Sequence, residues 1–350
     1  MTVRTVTLRP GYDISRVIRG GWQLAGGHGP VDAAQQIEDM IAFADAGIVT
    51  FDCADIYTGV EELIGAFRTE YGNRRGAEAL SRIRVHTKLV PDLEALSTVG
   101  RDYVRRIVET SLRRLRMDRL DLVQFHWWDY DVPRYLEAIG WLDELRREGK
   151  VAQVGGTNFD TARTLEIIGS GVPLMSMQVQ YSLLDARAER LLVPAALTND
   201  MVIFAYGSVA GGFLGDRWLG QPEPPHPLEN RSLTKYKLII DDFGGWHLFQ
   251  QLLRTLRAIA DRNETDIATI ASAAMLARPA VAAVIVGARN RSHLEQNLKI
   301  ASLALTEADT AAIAAVLAQG RSPQGDTYTL ERDRHGQHGS IIKYNLNKAS

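Results

Sequence analysis

The sequence predicts an α/β fold: a (β/α)8 TIM barrel with a long loop after the seventh strand and a C-terminal extension. Three observations carry that prediction. Amphipathic helical segments alternate without a break with short runs rich in β-branched residues, which implies a parallel sheet with right-handed crossovers. The runs number eight, and eight units favour closure into a barrel over an open sheet. No Gly-x-Gly-x-x-Gly follows the first strand, so the open dinucleotide-binding sheet lacks its signature.

The first strand is expected at 17–20, and a helix over 33–46 leads into strand 48–51. Helix 60–71 precedes strand 83–87. Helix 101–116 sets Val104, Ile107, Val108, Ser111, Leu112 and Leu115 on one face with arginines outward, and strand 120–125 follows. Pro133 suits the first turn of a helix over 133–148, and Gly149 suits its C-terminal cap. Strand 151–155, helix 161–169, strand 174–179, helix 186–198 and strand 201–205 continue the order. Residues 211–245 carry Pro222, Pro224, Pro225 and Pro227 and read as a long loop at the barrel mouth. Helices 247–262 and 267–277, strand 281–286 and helix 292–300 complete the barrel, and helix 306–318 follows. One barrel domain is expected over 1–320. Residues 321–350 read as a polar tail, either disordered or folded back over the mouth.

Of the 350 residues, 45% are hydrophobic and 23% charged, enough apolar surface to bury a large core. A net charge of -2 argues against a nucleic-acid or membrane-surface binder. Cys53 is the only cysteine, which excludes an intrachain disulfide and a cysteine zinc cluster and fits a reducing cytoplasm. No signal peptide is read in the opening residues, and no apolar stretch is long enough to span a bilayer. Histidines and carboxylates do not cluster at metal-ligand spacing, so no metal is expected.

Polar residues at the carboxyl ends of barrel strands open into the mouth, where such folds carry their chemistry. Asp52 and Tyr57 follow the second strand in Phe51-Asp52-Cys53-Ala54-Asp55-Ile56-Tyr57; Lys88 closes the third strand and His126 the fourth. Singly, each reads as a packing, turn or solvated residue. Together they supply what proton delivery to a carbonyl oxygen needs. Such a reduction takes its hydride from a nicotinamide, since no side chain provides one. Tyr57 is the expected proton donor, and a phenol with an ordinary pKa of about 10 needs a nearby cation to lower it. Lys88 is that cation. Asp52 is expected to pair with Lys88, and His126 to hydrogen-bond and polarise the substrate oxygen.

Other strand ends offer cofactor contacts. Asn158 and Gln178 can present a donor and an acceptor to a carboxamide, with the Thr157 hydroxyl beside them. Tyr206 can stack on a nicotinamide ring. The small residues of Gly207-Ser208-Val209-Ala210-Gly211-Gly212 allow backbone to pass beside a pyrophosphate, and Arg289 in Gly287-Ala288-Arg289 can bind phosphate as a fork. Trp22, Trp127 and Trp128 are candidates for an apolar substrate wall. Cys53 and His86 are assigned no role.

With these residues in place, the chain resembles the aldo-keto reductase superfamily over roughly 17–305. The likeness rests on Phe51-Asp52-x-Ala54-Asp55-x-Tyr57, on Lys88 and His126, and on Gly155-Gly156-Thr157-Asn158-Phe159, Gln178, Ala205-Tyr206-Gly207-Ser208 and Gly287-Ala288-Arg289 with His293 and Asn297. It departs from the family pattern at Thr58, Gly156 and His293. The resemblance implies Asp52, Tyr57, Lys88 and His126 as the catalytic set. It implies cofactor contacts from Gly21, Trp22, Asp52, Thr157, Asn158, Gln178, Tyr206, Gly207, Ser208, Gly211 and Gly287, with Arg289, His293, Gln296 and Asn297 at the adenosine end. Trp22, Tyr57, His126 and Trp127 would face the substrate. The implied cofactor is NADP (NADPH), favoured over NAD by Arg289, and the implied substrate is a small carbonyl compound or sugar. A nucleotide-binding sensor or accessory subunit with little turnover stays open as the alternative.

Overall fold

The structure, a computed structural model, describes residues 5–25 and 31–347. The opening residues 1–4, read above for a leader, lie outside the described residues, as do 26–30 and the end of the tail at 348–350. The described residues begin with an antiparallel hairpin ahead of the strand expected at 17–20: β1 (Thr5–Arg9) and β2 (Tyr12–Ser15), turned at Gly11 with φ 74°.

Eight parallel strands then close in chain order. These are β3 (Val17–Gly20), β4 (Thr50–Asp52), β5 (Arg84–Leu89), β6 (Leu120–Phe125), β7 (Val151–Thr157), β8 (Leu174–Gln180), β9 (Val202–Tyr206) and β10 (Val281–Gly287), with β10 pairing back onto β3. The expected barrel is the observed one. Leu8, Tyr12 and Ile14 of the hairpin pack with Ile18, Leu122, Met175 and Phe204, a cluster that fills one end of the barrel interior. The β5–β6 register sets His86 opposite Leu122 and Lys88 opposite Gln124. Side chains alternate along a strand, so an apolar layer lies beneath a polar layer at the mouth.

Most helices fall where the 3.6-residue period puts them: α1 (Ala33–Asp45), α3 (Arg101–Leu115), α5 (Thr161–Gly169), α9 (Gly245–Arg262), α10 (Ile267–Leu276), α11 (Leu294–Ser302) and α12 (Glu307–Leu317). Four differences have local causes. The second helix, α2 (Val60–Leu80), runs beyond 71 through a polar stretch braced by Arg74 on Glu38 and Glu70, and breaks helical geometry only at Gly76. α4 (Tyr135–Arg147) starts after Pro133, because Arg134 is left-handed with φ 98°. The helix expected over 186–198 is two, α6 (Arg187–Arg190) and α7 (Leu192–Thr198), divided at Leu191. Pro194 explains the restart: it lacks an N–H and is tolerated only in a first turn. Within the long loop, residues 231–243 form α8 (Arg231–Phe243), capped by the Asn230 side chain on Leu233 N at 3.0 Å and ended at Gly244.

The tail adds a short helix, α13 (Thr329–Arg332), and lies across the mouth. Glu331 is fully buried and forms two 2.9 Å bonds with Arg187, which also grips Asp185 at 2.7 Å. Arg332 donates to the backbone oxygens of Trp127, Trp128 (2.6 Å) and Asn158 (2.7 Å), and stacks 3.9 Å over the Tyr130 ring. Farther on, Leu346 N and Asn347 N donate to Asp92.

Candidate active site

The strand ends converge on one cleft of about 700 Å³ at the barrel mouth. Asp52 ends β4, Lys88 lies one residue before the end of β5, and His126 directly follows β6, so three neighbouring strands present them together. Tyr57 lies on the turn between β4 and α2. Lys88 Nζ donates to Asp52 Oδ1 at 2.6 Å and to Cys53 O at 2.8 Å, and stands 5.0 Å from the Tyr57 ring centre. Two amides complete the carboxylate's shell: Gln124 Nε2 at 3.1 Å and Gln178 Nε2 at 2.7 Å, both on Asp52 Oδ2. Asp52 therefore accepts from three side chains in a water-poor layer. Gln124 was not among the sequence candidates, although its place two residues before His126 on the same face of β6 was the available signal.

The charges behave as this packing dictates. Burial alone would pull the Lys88 pKa down, but Asp52 and Tyr57 outweigh it and hold the ammonium above its ordinary range. For Tyr57 the balance goes the other way. Burial raises the phenol pKa and outweighs the opposing charge of Lys88, so the expected net lowering is not found in the free protein. Lys88 limits the rise instead. His126 is pulled to about 3 by burial and by the charge of Arg332, and is neutral. Its Nδ1 lies 2.9 Å from Thr157 O, which can only accept, so Nδ1 carries the proton. Its buried Nε2 has no hydrogen-bond partner among the described residues. In that tautomer Nε2 keeps an unshared lone pair, which suits it to accept from a hydroxyl.

Most of the cofactor candidates border the cleft: Trp22, Asp52, Thr157, Asn158, Gln178, Tyr206, Gly207, Gly211, Gly287, His293, Gln296 and Asn297. Several are already engaged. Tyr206 donates to Asn158 Oδ1 at 2.9 Å, and the Gln178 amide nitrogen is spent on Asp52. Gly207 and Gly211 have positive φ, and a Cβ on either would come within 2.4 and 2.6 Å of Tyr236, so packing against that ring is the reason for glycine there.

Four candidates are placed differently. Gly21 does not line the cleft; its N–H bonds Asp52 O at 2.7 Å, and a Cβ would meet that oxygen at 2.8 Å. Ser208 is buried behind the wall on Ser272 Oγ at 3.0 Å. Arg289 is exposed and outside the lining, two residues beyond Gly287. Trp127 is fully buried, with Nε1 on Val132 O at 3.0 Å, and cannot touch a substrate in the cleft. Its neighbour Trp128 takes that place, edge-on to His126 at 4.3 Å and tied to Pro91 O. Trp22 also lines the cleft, 5.1 Å from the Tyr57 ring. From the tail come Tyr328, 5.7 Å from His126, and Tyr344, 5.2 Å from Trp128.

Among the described residues no cluster of three or more His, Cys, Asp or Glu could hold a metal, and no single helix is long and apolar enough to cross a membrane. Comparison with known proteins points one way. A profile described as the Aldo/keto reductase family matches residues 16–318. Aldo-keto reductase YhdN of Bacillus subtilis is 31% identical over 210 residues, covering 58% of this chain and 61% of the relative, which is under two thirds of its length. The uncharacterized oxidoreductase Rv2298 of Mycobacterium tuberculosis is 30% identical over 300 residues, 84% of this chain and 86% of its own. Among solved structures, the glycerol dehydrogenase AKR11B4 from Gluconobacter oxydans has a TM-score of 0.75 at 24% identity, covering 93% of this chain and 97% of that one, a likeness of fold.

Proposed function

The chain belongs to the aldo/keto reductase family, an oxidoreductase family, and we propose that it interconverts an aldehyde or ketone and the corresponding alcohol with NADP(H), using Tyr57 as general acid and base. The observation that carries this reading is the buried Asp52–Lys88 pair, locked by Gln124 and Gln178, beside a phenol that faces the cleft. The cleft wall fits a dinucleotide. Gln296 Oε1 and Asn297 Nδ2 are buried there without hydrogen-bond partners among the described residues, and His293 lies beside them, as an adenosine end requires. A bound nicotinamide supplies the hydride.

The side chains do the rest. Tyr57 gives its proton to the carbonyl oxygen. Lys88, held in place by Asp52, stabilises the phenolate that remains; in a buried site that charge acts with little screening. Trp22, Trp128 and Tyr328 shield the reacting carbon from water. His126 Nε2 accepts from a hydroxyl of the substrate and so orients it. Arg289, exposed at the surface, would grip the 2′-phosphate that distinguishes NADP from NAD. Residues 1–320 act as one barrel domain and 321–350 as its cover, in a cytoplasmic protein. The test is Tyr57→Phe, which is expected to lower NADPH-dependent carbonyl reduction by roughly 10²–10⁴-fold while the NADPH Kd stays unchanged. Reduction rates in the variant close to wild type refute the assignment.

A further inference from the structure

Three lysines line the cleft, and the mechanism above gives work only to Lys88; of the other two, Lys343 is exposed and Lys235 is half-buried. It projects from α8 into the cleft, and its Nζ stands 5.3 Å from the Tyr206 ring centre and 5.7 Å from those of Tyr236 and Tyr328. No hydrogen bond or ion pair to a described residue holds the ammonium, and it is not among the residues with further contacts. Glu331 acts on it only from a distance, since that carboxylate is bidentate on Arg187 at 2.9 Å. The acids of the cleft wall are committed elsewhere. Asp52 is on Lys88, Asp216 on Arg257, and Asp266 caps α10 through Thr269 N at 2.7 Å. Three donors on a caged cation are thus unspent.

The cage marks the reacting end of the cleft. Tyr206 bonds Asn158, Tyr328 is edge-on to His126, and Tyr236 and Tyr328 both lie within charge range of Tyr57. His293, Gln296 and Asn297, the adenosine end, lie on or just before α11 instead. Burial pulls the Lys235 pKa below its ordinary 10.5, as it does for an ammonium short of partners.

We propose that Lys235 is a specificity residue that takes the carboxylate of an oxo-acid substrate, one whose acid group lies at a distance from the carbonyl. This deepens the reading of the site as a carbonyl reductase and rests on it for the word substrate. Exposed Lys343 on the tail lines the same cleft and adds a second positive charge at the mouth. A charge-assisted bond made inside an aromatic cage favours an acid over its neutral isostere.

The experiment has a binding arm and a turnover arm. Benzoate and benzamide are titrated calorimetrically into the full-length protein saturated with NADP⁺, for wild type, Lys235→Met and Lys235→Arg. Wild type is expected to bind benzoate about tenfold or more tighter than benzamide. Lys235→Met should erase that preference, Lys235→Arg should keep most of it, and the Kd for NADPH should stay at the wild-type value in both. In turnover, Lys235→Met should raise KM for 4-carboxybenzaldehyde by a similar factor and leave methyl 4-formylbenzoate unchanged. Equal binding of the two probes by wild type, or a raised NADPH Kd in Lys235→Met, overturns the assignment. If benzoate selectivity is present while neither aldehyde is reduced, the anion site stands and the carbonyl reductase reading falls.

Discussion

Replacing His86 with leucine measures how dry the barrel is beneath the Asp52–Lys88 layer. His86 lies on β5 two residues before Lys88, between Phe204 at 5.2 Å and Tyr12 at 6.3 Å, and neither ring nitrogen has a hydrogen-bond partner among the described residues. Burial, then the charges of Lys88 and Arg84, bring its pKa from 6.5 down to about 3. The unfolded chain therefore binds a proton that the folded chain refuses between these values. The stability linked to His86 is fully present above pH 6.5 and is lost as pH falls through that window towards 3. From pH 8 to pH 5 the loss is about 2 kcal/mol for this one group. Other buried groups overlap it. His126 acts in the same direction, whereas Asp55 and Glu61, whose pKa values burial raises, are favoured by acidification. The difference between proteins isolates His86. Urea unfolding at pH 8 and pH 5 should show wild type losing about 2 kcal/mol more than His86→Leu over that interval. At pH 8 the variant should be close to wild type, because it deletes two unpaired polar atoms along with the ring. Parallel losses in the two proteins would refute a dry, neutral His86.

Lys88→Met and Asp52→Asn should each slow reduction, and the double variant should lose less than the sum of the two, because both act through one ion pair; strict additivity in the cycle of kcat/KM values argues against a shared network. Arg289→Ala should raise the NADPH Kd and leave the NADH Kd nearly unchanged, with the effect fading as salt rises; equal losses for both cofactors exclude a 2′-phosphate contact. Glu331→Gln should lower the melting temperature, since it breaks a buried pair worth about 3–5 kcal/mol on removal of one partner. An unchanged melting temperature would mean that Asp185 alone satisfies Arg187.

The barrel was legible because its determinants are local: β-branched runs, helical periodicity and the spacing between them. The N-terminal hairpin was legible too, in the alternation of Val6, Leu8, Tyr12 and Ile14 about Pro10-Gly11, but the barrel register drew attention to 17–20 as the first strand. Helix α8 was masked by the proline cluster just before it, although Asn230 and Leu233 carry a capping signal. At the site, strand-end position singled out Asp52, Lys88 and His126, with Tyr57 on the turn after β4, and the structure brings these four to one cleft. Strand-end position could not separate Trp127 from Trp128, because the chain leaves β6 there and alternation no longer dictates which ring turns inward. Nor could it find Lys235, whose neighbours Tyr206 and Tyr328 are 29 residues before it and 93 after it in the chain.

The tail joins these two levels. Arg187, Asp185 and Glu331 are as buried as apolar-core residues and charged by type, and such charges stay buried only where they satisfy one another. That requirement fixes α13 against the barrel, and α13 in turn sets Tyr328 against His126 and Arg332 on the backbone of Trp127, Trp128 and Asn158. Arg332 also lowers the His126 pKa, so the same tail that walls the cleft helps keep that imidazole neutral. Changes in the tail therefore reach the cleft through two routes, shape and charge. Variants at Tyr328 alter the first and variants at Arg332 alter both.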